Sequence, residues 1–84
     1  MPTAAAKRIL LVDDDETLRK TLAEQLAKDG EFECLEAGSG AEALKVAKAE
    51  KLDAILLDVG LPDADGRQVC NDLRKANVAV PIIM

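Results

Sequence analysis

Aromatic residues are almost absent from this sequence: Phe32 stands alone, with no Tyr and no Trp. A core must therefore be assembled from Leu, Ile, Val and Ala, and recognition by stacking on bases or sugars is not on offer. Cysteine is scarce too. Cys34 and Cys70 are the two present, far apart and without C-x-x-C spacing, which indicates neither a zinc site nor a disulfide framework. They read as small, buried or half-buried residues in a reducing compartment. No apolar run approaches the ~20 residues of a membrane span. Met1 to Ala6 lacks the apolar stretch of a secretory signal, so no membrane association is expected and the expected location is the cytoplasm. Positive charge is also in deficit, with 11 Lys and Arg against 16 Asp and Glu, a net −5. Phosphate backbones require basic clusters, so nucleic acid is not an expected partner. A cation suits this balance better.

What is present is an ordinary globular mixture, nearly half hydrophobic and a third charged. Eighty-four residues make at most one small domain, which buries about 60–65% of its unfolded surface. Residues 1–6 read as a flexible tail and 7–84 as the folded unit. Ile9-Leu10-Leu11-Val12 is a continuous apolar run bounded by charge, too short for a helix, and predicts a strand buried on both faces. From Glu16 to Asp29 the period changes. Leu18, Leu22, Gln25 and Leu26 share one face, which predicts a helix capped near Asp15 and stopped by Gly30. The three leucines are expected in the core, and Arg19, Lys20, Glu24 and Lys28 elsewhere on the helix.

Phe32 to Glu36 alternates apolar and acidic residues, the pattern of a half-exposed edge strand. A Gly38-Ser39-Gly40 turn leads into a small-residue helix over Ala41 to Glu50. Ala54-Ile55-Leu56-Leu57 is a second buried strand. A loop through Gly60, Pro62 and Gly66 leads to a helix over Arg67 to Ala76, and Val80 to Met84 begins another strand. The order βαβαβαβ predicts an α/β fold, a parallel sheet with right-handed crossovers and helices on both faces.

Asp13, Asp14 and Asp15 follow the first buried strand, and Asp58 ends the other. Ligands of open parallel sheets bind just outside the carboxyl ends of the strands, so central neighbours would bring Asp13, Asp14 and Asp58 to one rim. Gathered carboxylates repel and must protonate or share a cation. Magnesium fits, because it prefers hard oxygen ligands and keeps several waters. Two carboxylates plus one backbone carbonyl from the loop after Asp58 would fill half its shell. Read singly, Asp13 to Asp15 are only helix caps and Asp58 only a strand end. It is their joint placement on two buried strands that favours a site. A carboxylate there can also act as a nucleophile and carry a covalent phosphoryl group.

ILLVDDDETLR followed by LDAILLDVGLPDADG, with GSGAEAL between them, resembles the response-regulator receiver family from Arg8 to Met84. The resemblance implies a flavodoxin-like sheet of order 2-1-3-4. It implies that Asp58 is the phosphoacceptor, that Asp14 and Asp58 coordinate Mg2+ directly, that Asp13 acts mainly through water, and that Gly60 supplies a backbone carbonyl. Pro62 and Gly66 match the family's loop before the third helix. The implied donor is a phosphohistidine on a histidine kinase or phosphotransfer protein, or a small acyl phosphate. The family's later Ser or Thr, its Lys, its fifth strand and its last two helices have no counterpart in these residues, so the expected chain is the N-terminal two-thirds of a receiver. The metal half of the site is expected without the phosphate half. An open apolar edge at Ile82 and Ile83 is expected to drive self-association.

Rival readings are weaker. Gly38-Ser39-Gly40-Ala41-Glu42-Ala43 matches the G-x-G-x-x-[GA] pattern of a dinucleotide-binding βαβ unit, but its strand is acidic and half-exposed and Glu36 would crowd a pyrophosphate. A calcium loop at Asp63-Ala64-Asp65-Gly66 fails because Leu61 takes the first ligand position. A haloacid-type phosphatase needs a second acid where Gly60 stands. A receiver-shaped interaction module without phosphorylation is the remaining alternative.

Overall fold

The computed structural model describes residues 7–28, 30–58, 61 and 65–84. The tail 1–6, Gly60, Pro62 and the residues of the calcium-loop reading at Asp63 and Ala64 lie outside the described residues. The elements run in the expected order: β1 (Lys7–Val12), α1 (Glu16–Ala27), β2 (Phe32–Ala37), α2 (Gly40–Ala49), β3 (Ala54–Leu57), α3 (Gly66–Lys75) and β4 (Ile82–Ile83). All pairings are parallel, in the order β2-β1-β3-β4. Chain order and sheet order part company between β1 and β3. The chain first steps from β1 outward to β2, then crosses back to β3 on the other side. Right-handed crossovers in opposite directions put their helices on opposite faces, and the gap between β1 and β3 is the switch point of the sheet.

Alternation in the strands sorts the core accordingly. Leu10, Val12, Ile55 and Leu57 pack with Ala43 and Ala47 of α2 and with Val69 and Leu73 of α3 in one buried cluster. Small residues on α2 let that helix approach the sheet closely. Ile9 and Leu11, also buried, point to the opposite face, where α1 is the helix. Here the sequence expectation fails. Leu18 and Leu22 are 49% and 37% exposed, and α1 buries none of its residues fully. The cause is coverage: among the described residues, two helices share one face, while α1 alone serves the other and leans on edge strand β2 more than on β1. Its Leu22 lines a depression of about 280 Å³ instead of meeting a second helix.

Boundaries follow local chemistry. Asp15 caps α1, its carboxylate accepting from the Leu18 N–H at 3.0 Å, and Ser39 caps α2 by accepting from the Glu42 N–H at 3.2 Å. Asp65 caps α3, accepting from the Arg67 N–H at 2.8 Å. Helix α1 ends two residues short of the expected Asp29, with Gly30 at φ 75° just beyond. Strand β1 begins two residues earlier than expected, because Arg8 anchors it by reaching Glu50 at 2.9 Å and the Lys51 carbonyl at 3.0 Å. Strand β4 is shorter than Val80 to Met84. Arg74 takes the Val78 and Val80 carbonyls at 2.7 and 2.8 Å, and Pro81 has no N–H to give the ladder.

Candidate functional site

The site is built by the register of two strands. Val12 stands opposite Leu57 in the β1–β3 ladder, so the residues that follow, Asp13 and Asp58, leave the sheet side by side. Backbone bonds carry the order one step beyond the strands. The Asp58 N–H donates to the Val12 carbonyl at 2.9 Å, and the Asp13 N–H donates to the Ala37 carbonyl at 3.1 Å. With Asp14 next in the loop, Asp13, Asp14 and Asp58 each offer one carboxylate oxygen, and these atoms all lie within 4.8 Å of one another. Asp13 and Asp58 are half-buried and Asp14 is exposed.

The three acids of the first loop have separate jobs. Asp15 is committed to the helix cap. Its own N–H donates to Asp13 Oδ1 at 2.9 Å, which fixes the rotation of the Asp13 carboxyl. Asp14 carries the loop's exposed charge. Charges at this spacing repel by about 1 kcal/mol per pair even with water-like screening, and the N-terminus of α1 offsets a fraction of that. A hard divalent ion with oxygen ligands offsets more, so the donor set fits magnesium. Gly60, expected to add a carbonyl, lies outside the described residues.

One residue of the site was assigned elsewhere by periodicity. Arg19 falls off the leucine face of α1, yet its side chain is only 13% exposed. Its Nε donates to Glu36 Oε1 at 2.8 Å and its Nη1 to the Asp13 carbonyl at 2.6 Å, and it lines the same depression as Asp13 and Asp58. The available signal was an acid at the last inward turn of β2, where an edge strand ought to present an apolar residue. Glu36 also acts on Cys34: burial foremost, and then that carboxylate, push the Cys34 thiol above its ordinary pKa. Both cysteines are free and half-buried.

The glycine-rich turn has no vacancy for a pyrophosphate. The Gly38 N–H is held by Glu42 Oε1 at 2.6 Å and the Glu42 N–H by Ser39, so the chain's own side chains occupy the start of α2. Its preceding strand is the sheet edge, away from the switch point.

The family described as "Response regulator receiver domain" matches residues 9–84. The alkaline phosphatase synthesis transcriptional regulatory protein PhoP of Bacillus subtilis is 45% identical over 78 residues, covering 93% of this chain and 32% of that protein. The response regulator MprA of Mycobacterium leprae is 39% identical over 77 residues, 92% of this chain and 33% of its own. This chain thus spans about a third of the length of those relatives. Among solved structures, the response regulator TrrA of Thermotoga maritima in complex with Mg2+-BeF superposes with a TM-score of 0.84 at 37% identity, over 93% of this chain and 67% of that one. TrrA in complex with the histidine kinase ThkA gives a TM-score of 0.81 at 37% identity, over 90% and 65%.

Proposed function

This chain belongs to the response-regulator receiver family, and from that premise we propose that it accepts a phosphoryl group on Asp58. The observation that carries the reading is the meeting of Asp13, Asp14 and Asp58 within 4.8 Å at the switch point, next to the outward end of a buried strand. Asp14 and Asp58 would hold Mg2+ directly, with Asp13 acting mainly through water and Gly60 adding its carbonyl. When bound, the ion neutralises charge on the phosphoryl oxygens and on the nucleophile. An Asp58 carboxylate oxygen forms the new O–P bond while the P–N bond of a phosphohistidine breaks, its electron pair leaving with the imidazole nitrogen. The sequence contains no histidine, so that imidazole belongs to a partner, a histidine kinase or phosphotransfer protein. TrrA is bound to such a kinase in its complex with ThkA. The chain then acts as a signalling module in the cytoplasm rather than as an enzyme with its own turnover. Among the described residues no helix is long and apolar enough to cross a membrane.

The test is intact-mass spectrometry after incubation with acetyl phosphate and Mg2+, with Asp58→Asn alongside. One phosphoryl adduct on the unaltered chain and none on the variant is the expected result. An adduct on both, or on neither, refutes the assignment.

A second reading concerns assembly. Ile83 and Met84 are 58% and 60% exposed beside the β4 edge, and unpaired strand edges with apolar neighbours recruit partners. Copies of the chain are expected to associate there. A strictly monomeric mass by light scattering at tens of micromolar would refute this reading.

A further inference from the structure

We infer that Arg19 is a positioning residue for the acidic site, one that holds the Asp13–Asp14 peptide in the orientation from which both carboxylates meet Asp58. The inference rests on the reading just given, that Asp13, Asp14 and Asp58 hold Mg2+. Asp13 is clamped at both backbone groups. Its N–H donates to the Ala37 carbonyl at 3.1 Å, and its carbonyl, which belongs to the peptide leading into Asp14, accepts from Arg19 Nη1 at 2.6 Å. Arg19 is itself fixed, since its Nε donates to Glu36 Oε1 at 2.8 Å and its N–H to the Asp15 carbonyl at 2.9 Å. The guanidinium is planar and its donors keep a fixed geometry, so Glu36 on the sheet edge sets the angle of the Asp13–Asp14 peptide. The side chain is 13% exposed and Glu36 is 30% exposed, which shields the bonds from solvent. Gly38 completes the cradle: a Cβ there would stand 3.3 Å from Arg19 Nη1.

A second arginine on β1 shows what the same chemistry does without a site. Arg8 also joins a β2 glutamate, Glu33 at 3.5 Å, and a backbone carbonyl, that of Lys51 at 3.0 Å. It sits at the amino end of the strand, remote from the acids. The two arginines are therefore comparable as structural fastenings and differ in what they fasten.

The sign of the effect separates positioning from charge. A cation beside a cation site repels the ion, so removing Arg19 for electrostatic reasons alone would tighten Mg2+ binding. Removing a positioning residue weakens it, by about tenfold on the scale of groups that orient metal ligands. The experiment is Mg2+ titration calorimetry, with urea denaturation to count the folded fraction, on the unaltered chain, Arg19→Gln, Arg8→Gln, Glu36→Ala and Glu36→Gln. Expected are a Kd raised about tenfold in Arg19→Gln, raised several-fold in Glu36→Ala, and within about twofold of the unaltered value in Glu36→Gln, which keeps an oxygen for Nε. Arg8→Gln is expected to lower stability and leave Kd unchanged. Unchanged or tighter binding in folded Arg19→Gln overturns the role of Arg19. Should Arg19→Gln fail to fold, unchanged binding in Glu36→Ala overturns it equally. Absence of saturable Mg2+ binding in the unaltered chain refutes the metal reading itself and the inference with it.

Discussion

Replacing Asp58 with Asn should stabilise the metal-free chain and destabilise it, relative to the unaltered one, once Mg2+ is added. The substitution is nearly isosteric and removes one charge from three whose oxygens lie within 4.8 Å. Each pair at that distance repels by about 0.9 kcal/mol with water-like screening. Two pairs involve Asp58, and counterions screen part of the repulsion from the exposed Asp14. A net gain of about 1 kcal/mol is therefore expected without metal. Urea slopes for domains this small are about 1 kcal/mol/M, so the midpoint should rise by about 1 M. With Mg2+ at about a hundredfold above its Kd, the unaltered chain gains about 2.7 kcal/mol by linkage, and the variant, missing a ligand, gains much less. The order of the two midpoints should invert. Far-UV ellipticity is the readout, because Phe32 is the only aromatic residue. Retention of the same order in chelator and in Mg2+ would refute the claim that these acids form one cation site.

Two further outcomes follow from the packing. Ile55 is fully buried in a central strand and belongs to the core cluster that also holds residues of α2 and α3, so Ile55→Ala should cost about 3–4 kcal/mol, a large part of what so small a domain has, and should abolish the cooperative urea transition or move it close to zero denaturant. The Cys34 thiol, pushed up by burial and by Glu36, should alkylate more slowly than a free thiol near neutral pH. Its sign in stability also follows: where the unfolded thiol has ionised and the folded one has not, the unfolded state gains, so Cys34→Ser should reduce the loss of stability above the ordinary thiol pKa. Equal alkylation rates for Cys34 in the folded and urea-unfolded chain would contradict this.

Most of the architecture was legible because it is written in period. Runs of four apolar residues at Ile9–Val12 and Ala54–Leu57 have no exposed face to alternate with, and only central strands of a two-sided sheet use them. Phe32–Glu36, by contrast, intersperses acids among apolar residues, and it lies at the edge. The acids were legible for the same reason: a charge at the end of a wholly apolar run has only the rim to occupy. The errors occurred where tertiary coverage decides. Periodicity identifies which residues of α1 share a face, but not whether a neighbour lies across from it, so Leu18 and Leu22 read as core and are half-exposed. Arg19 was missed on the same helix. A long side chain one step off the leucine stripe can lie back toward the sheet, and nothing in α1 alone says that Glu36 and the Asp13 carbonyl wait there.

These two misreadings have one origin, and it is also the origin of the site. The chain reverses its direction of winding between β1 and β3, and that reversal leaves a gap at the strand ends into which Asp13, Asp14 and Asp58 project. The same reversal sends α1 to the face opposite α2 and α3, over β2. A helix displaced toward the edge leaves Leu56 half-buried, and its own Leu18 and Leu22 remain exposed with it. Displacement toward β2 also brings the first turns of α1 beside Glu36, which is what lets Arg19 span from the edge strand to the Asp13 carbonyl. A helix centred over β1 would bury Leu18 and Leu22 better, and would carry Arg19 away from the strand that fixes it. The thin packing of α1 and the fastening of the acidic loop through the Asp13 carbonyl are thus a single compromise. Substitutions that improve α1 packing at Leu22 should then be judged by whether Mg2+ affinity survives them.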